Sequence, residues 1–141
     1  MNILITSAGQ RVSLVRSFQT ELKKYFKQGQ VFTTDLNPIL APACHVSDQS
    51  FAVQRVTSTE YIEQLLQLCL AHNIKLVVPT IDTELLVLSE NIETFKKHDI
   101  HFFHCSPPLS LLLFHFLLYF HPSYNHIKTQ HKYRKVVDFH L

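Results

Sequence analysis

The stretch NILITSAGQRVSLVRSF, residues 2–18, begins as an apolar run, turns through small residues and continues as a helical pattern. Ile3, Leu4 and Ile5 form an unbroken β-rich run, as expected of a strand covered on both faces. Ser7, Ala8 and Gly9 supply a tight turn. Val15, Phe18, Leu22 and Tyr25 then recur near the 3.6-residue period that lines one helix face. Lys23, Lys24 and Lys27 gather where the negative end of that helix favours cations, and Gly29 follows as a stop. A buried strand leading through a small turn into a helix opens many nucleotide-binding folds, so the loop between them decides what this one does.

The same unit repeats along the chain. Val31 to Thr34 reads as a second strand, ending at Asp35 and broken by Asn37-Pro38. Ser50 to Val53 reads as a third. Thr57 and Glu60 have capping-box spacing before a helix that buries Ile62, Leu65, Leu66 and Cys69, with Asn73 near its end. Leu76 to Val78 makes a fourth strand, Asp82 is placed to cap a helix using Leu85, Leu88, Ile92 and Phe95, and Ile100 to Phe103 makes a fifth. Strands alternating with helices predict an α/β, Rossmann-like three-layer domain with a parallel sheet of about five strands. In such sheets ligands bind outside the carboxyl ends of the strands, where the winding direction reverses. That rule selects the loops Thr6 to Arg11, Asp35 to Pro38 and Thr80 to Glu84.

The first loop does not carry a dinucleotide fingerprint, which needs three glycines for the turn, the approach of the pyrophosphate and helix packing. Gly9 is the one glycine there, and the whole chain has two. No GxxxxGK[ST] phosphate cradle occurs either. Asp35 stands where an acidic residue would hold a ribose hydroxyl, but without the glycines NAD is not expected.

Three motifs, SAGQRVSLVRSF (7–18), TTDLNPILAPA (33–43) and VVPTIDTELL (77–86), occur in this order and spacing. Together they resemble the amino-terminal domain of ATP-grasp proteins related to the carbamoyl-phosphate synthase large subunit, over residues 1 to about 105. The resemblance implies a Rossmann-like pre-ATP-grasp domain that forms one wall of a substrate cleft. Two further lobes normally follow, hold ATP and Mg²⁺, and join a carboxylate to an amine through an acyl-phosphate. The 36 residues after Cys105 are too few for such a lobe, and Asp138 is the only acid beyond Asp99, so no cofactor and no catalytic residue are expected in this chain.

The expected substrate site is Ser7, Ala8, Gly9, Arg11, Asp35, Asn37, Thr80, Asp82 and Glu84. Backbone N–H groups around Ser7 to Gln10 can receive a carboxylate or phosphate at the start of a helix, and the Arg11 guanidinium can bind such a group with two parallel bonds. The resemblance places a second basic residue where this chain has Gln10. Each residue also has a plainer reading. Arg11 suits a solvated surface, Asp82 a helix cap, Thr80 and Glu84 the turn and the helix dipole, and Asp35 and Asn37 a turn fixed by Pro38.

A chain of 141 residues with 46% hydrophobic content has the size of about one domain and can bury a core. No secretory signal is visible in the first residues, and Cys44, Cys69 and Cys105 are odd in number and widely spaced, which fits reduced thiols, so a cytoplasmic location is expected. Residues 1–100 carry a net −1 and residues 101–141 a net +3, and eight of the ten histidines lie from His98 onward. The expected division is therefore 1–105 as the domain and 106–141 as an atypical tail, the product of a truncation or an altered reading frame.

Within that tail Leu109 to Phe120 is apolar around the whole helical circumference. Twelve helical residues span about 18 Å against a hydrocarbon core of about 30 Å, so no membrane span is expected and self-association is. Among His101, His104, Cys105, His115, His121, His126 and His131, His101-x-x-His104 is at best one half of a zinc site and has no matching second half, so no metal is expected. Lys128, Lys132, Arg134 and Lys135, beside Tyr124 and Tyr133, form no recognised nucleic-acid motif. The expected function is thus the substrate-cleft domain, a fragment, of an ATP-grasp carboxylate–amine ligase without its own ATP site, its partners a small carboxylate or phosphate-bearing ligand and the missing lobes. The alternative is a stand-alone small-ligand-binding domain that associates through its tail.

Overall fold

The computed structural model describes residues 1–103. The expectations for His104, Cys105, the domain boundary, Leu109 to Phe120 and the basic, histidine-rich end lie outside the described residues. The fold is α/β and Rossmann-like. Strands β1 (Asn2–Thr6), β2 (Val31–Asp35), β3 (Gln49–Ala52), β4 (Ile74–Pro79) and β5 (His101–Phe102) form one five-stranded sheet in the order β3-β2-β1-β4-β5. Every neighbouring pair is parallel, with Leu4 opposite Phe32 on one side and Val77 on the other.

Helices cover both faces, and strand alternation sorts the core between them. Ile3, Ile5, Val31 and Val78 pack with Val15, Phe18 and Leu22 of α1 (Val12–Tyr25) and with Ala43 and Cys44 of α2 (Pro42–Val46). Leu4, Phe32 and Val77 turn the other way, onto Tyr61, Leu65, Leu66 and Cys69 of α3 (Tyr61–Ala71), Leu88 of α4 (Asp82–Glu90) and Phe95 of α5 (Ile92–Lys96). Fully burying a side chain such as Leu4 or Phe95 stabilises by about 1.5–3 kcal/mol, which is why the centre of the sheet reads as continuous apolar runs.

Several local expectations are corrected. The capping box at Thr57 and Glu60 does not form: Glu60 itself occupies the N-cap position in a helical conformation, and its N–H donates to Ser58 Oγ at 3.3 Å. Asp82 is the first helical residue of α4 rather than its cap, because the extended Ile81 precedes it and no side chain caps the helix. The single helix expected from Leu85 to Phe95 is two helices, interrupted where Asn91 Nδ2 donates to the Val87 carbonyl at 2.8 Å. Leu85 is consequently 42% exposed, and Tyr25, in the last turn of α1, is 68% exposed. The 3₁₀ turn Pro38–Leu40 and α2 fill the link between β2 and β3. Apolar periodicity could not reveal segments of three and five residues.

Candidate functional site

The chain winds outward from β1 through β2 to β3, then crosses to β4 on the opposite side of β1. The reversal opens a crevice at the carboxyl ends of β1 and β4, the place where α/β sheets hold ligands. Thr6 to Arg11 and Thr80 to Glu84 meet there. Ser7 (φ +48°) and Gly9 (φ +49°) both adopt the left-handed backbone that lets the loop double back before α1. Thr80 locks the two loops together, its Oγ1 lying 2.9 Å from the Thr6 carbonyl oxygen and 2.8 Å from that of Ser7. Arg11 Nη2 donates to the Thr80 carbonyl at 2.7 Å, so an exposed guanidinium is held across the crevice with one of its five donors committed.

Asp35 and Asn37 stand on the β2 side and act on the loop itself. Asp35 Oδ2 accepts the Gly9 N–H at 3.0 Å and Oδ1 accepts the Asn37 N–H at 3.1 Å. Ala8 is fully buried, and its N–H donates to the Thr34 carbonyl at 3.0 Å. The N–H groups of Arg11 and Val12 donate to Ala8 and Gln10 carbonyls. Nucleotide phosphates would need donors that this loop spends internally, and among the described residues no group of three or more His, Cys, Asp or Glu side chains is gathered for a metal ion. These residues do not fit Mg²⁺ and ATP.

Glu84, in the first turn of α4, is 1% exposed. Its Oε1 accepts hydroxyls from Ser7 at 2.5 Å and Tyr61 at 2.8 Å, and its Oε2 accepts Thr6 at 2.6 Å. One carboxylate therefore ties β1 and its loop to α3 and α4. Burial, and then the neighbouring carboxylate, push the Tyr61 phenol well above its ordinary range. Tyr61 and Thr6 were not anticipated as site residues. Tyr61 lies 23 positions from its partner, and no local spacing signals such a contact.

Beside Glu84 lies a cavity of about 230 Å³, walled by Leu36, Val53, Val56 and Ile81. Ser7 and Tyr61 also line it, while Asp82 is exposed at the head of α4. Both described cysteines are buried, and burial raises the thiol of Cys44 and pushes that of Cys69 up to about 12. Among the described residues no helix is long and apolar enough to cross a membrane.

A family model described as PylC-like, N-terminal domain matches residues 3–103. No curated protein matches the chain significantly. Among solved structures, dTDP-glucose 4,6-dehydratase from Bacillus anthracis str. Ames in complex with NAD is similar at 16% identity and a TM-score of 0.48, over 72% of this chain and 36% of that one. A single-chain, multi-domain long-chain acyl-CoA carboxylase is similar at 20% identity and a TM-score of 0.47, over 70% of this chain and 10% of that one. The chain thus spans about a third and a tenth of these two proteins.

Proposed function

Since this chain belongs to the family of PylC-like N-terminal domains, a pre-ATP-grasp type, we propose that it forms one wall of the substrate cleft of an ATP-grasp carboxylate–amine ligase. The closer kinship, with the carbamoyl-phosphate synthase large subunit, is part of the proposal and rests on the three loop motifs. In this reading the Arg11 guanidinium receives a carboxylate- or phosphate-bearing ligand beside Ser7, Gly9 and Thr80, whose own donors hold the crevice loops in shape, and the nucleotide belongs to other lobes. Asp35 and Asn37 hold the shape of the loop, Ala8 packs beneath it, and Asp82 and Glu84 lie along the β4 side.

One observation carries the reading. The exposed Arg11 guanidinium is fixed over the switch point by its bond to Thr80, with further donors available to an anion. A charge-assisted hydrogen bond is worth about 1.5–3 kcal/mol, or roughly 10- to 150-fold in affinity. Titration with propionate is therefore expected to show binding that Arg11→Ala weakens by that factor while the circular dichroism spectrum is unchanged. Equal affinity of the two proteins would return Arg11 to the solvated surface.

A further inference from the structure

The two edges of the sheet differ. β5 is two residues long, whereas β3 runs four residues in unbroken register with β2. Open edges are ordinarily guarded by proline, lysine or a bulge, because their unpaired N–H and C=O groups are a template for another chain. β3, with the sequence QSFA, has none of these guards, and Gln49, Ser50 and Ala52 are exposed.

The outward backbone groups of this edge form a self-complementary set. The Val53 N–H donates to the Asp35 carbonyl at 3.1 Å, so alternate residues, Phe51 and Gln49, face β2, while Ser50 and Ala52 turn away from it. One side chain already seals part of the edge. Gln64 of α3 accepts the Gln54 N–H at 2.8 Å and donates to the Ala52 carbonyl at 3.4 Å, as a neighbouring strand would. What stays open, among the described residues, is the N–H and C=O of Ser50 and the N–H of Ala52. A residue with both groups free can exchange two hydrogen bonds with its own copy across a two-fold axis.

Charge selects the direction of pairing. Asp48 precedes the strand and Arg55 follows it, both exposed, with no charged residue between them. Two antiparallel copies bring the acid of each toward the base of the other, and parallel copies would set like charges together. Apolar surface lies on the same flank. Phe51 turns onto Phe32 and the α3 side of the core, so Ser50 and Ala52 face the α2 side, next to the 3₁₀ turn whose Ile39 and Leu40 are 79% and 77% exposed.

We propose that a second copy of this chain adds to β3 in antiparallel fashion, Ser50 opposite Ser50, and joins two five-stranded sheets into one of ten strands. The interface is one short strand wide, so the association is weak and dilution frees the edge.

The test is disulfide cross-linking of the 141-residue chain under air with copper phenanthroline. Residues that exchange both hydrogen bonds across antiparallel strands have Cα atoms about 5.5 Å apart, inside disulfide reach, whereas the two copies of the neighbouring position lie about 8 Å apart, outside it. Ser50→Cys is therefore expected to form a covalent dimer roughly tenfold faster than Gln49→Cys or the unsubstituted chain, whose own cysteines set the background. Peptide mass spectrometry is expected to find the bridge between two copies of the substituted position. Adding Arg55→Glu to Ser50→Cys is expected to slow the reaction, because like charges then meet at both ends of the pair. Equal rates for Ser50→Cys and Gln49→Cys, or no effect of Arg55→Glu, would overturn the proposal. So would a bridge from Ser50→Cys to Cys105 within one chain, which gives the edge to another segment of this protein. A Ser50→Cys chain that stays monomeric would overturn it too, leaving the edge to an extended segment of a different protein.

Discussion

The two glycines of the chain are required for opposite physical reasons, and substitutions separate them. Gly9 has room for a Cβ, which would meet the Ser7 carbonyl oxygen at an ordinary contact distance of 3.7 Å, but its φ of +49° is left-handed. Gly9→Ala is therefore expected to destabilise by about 1–2 kcal/mol, and Gly9→Asn by less, because Asn tolerates that conformation. Gly29 is crowded instead. A Cβ there would sit 2.7 Å from Leu22 Cγ and 2.9 Å from the Met1 carbonyl oxygen. Alanine and asparagine at Gly29 should both cost about 1–3 kcal/mol, the typical penalty of overpacking. Urea denaturation of the four variants checks the contrast; recovery by Asn at position 29 would contradict it. The sequence suggested a turn and a helix stop at these positions, and only the folded contacts distinguish strain from crowding.

At the scale of elements, the sheet and its helices were legible because apolar runs and 3.6-residue periods are written locally in Ile3–Ile5, Leu76–Val78 and Val15–Phe18–Leu22. The crevice was legible in part. Strand ends mark loops, so Ser7, Arg11, Thr80 and Glu84 could be named, but the burial of Glu84 and its bond to Tyr61 depend on how α3 docks beside α4. The capping box failed for a similar reason, since Ser58 competes for the same donor. That docking also gives the fold an alkaline limit. Burial holds the Tyr61 phenol and the Cys69 thiol in their neutral forms, above ordinary values of 10.0 and 9.0. The unfolded chain loses these protons first as pH rises, so both contributions are whole below about pH 9 and decline above it. The melting temperature is expected to fall between about pH 9 and 11, and less steeply in a Tyr61→Phe, Cys69→Ala variant. Parallel profiles would mean that neither group couples to folding.

Across the whole domain, the order β3-β2-β1-β4-β5 places β1 between two parallel neighbours and leaves β3 and β5 each with one. β1 is also the strand from which the crevice loop springs, so the ligand-facing turn grows from the most enclosed part of the molecule. Motion on long timescales should follow the same order. Amides of Ile3, Leu4 and Ile5 open to solvent only when the sheet itself comes apart, whereas the outer strands can fray singly. Deuterium uptake is therefore expected to be slowest in β1, intermediate in β2 and β4, and fastest in β3 and β5, a gradient readable by mass spectrometry of short peptides. Uptake in β1 as fast as in β3 would refute it. Such a gradient would make the crevice a late-melting landmark, with its anchoring strand persisting after the edges of the sheet have exchanged.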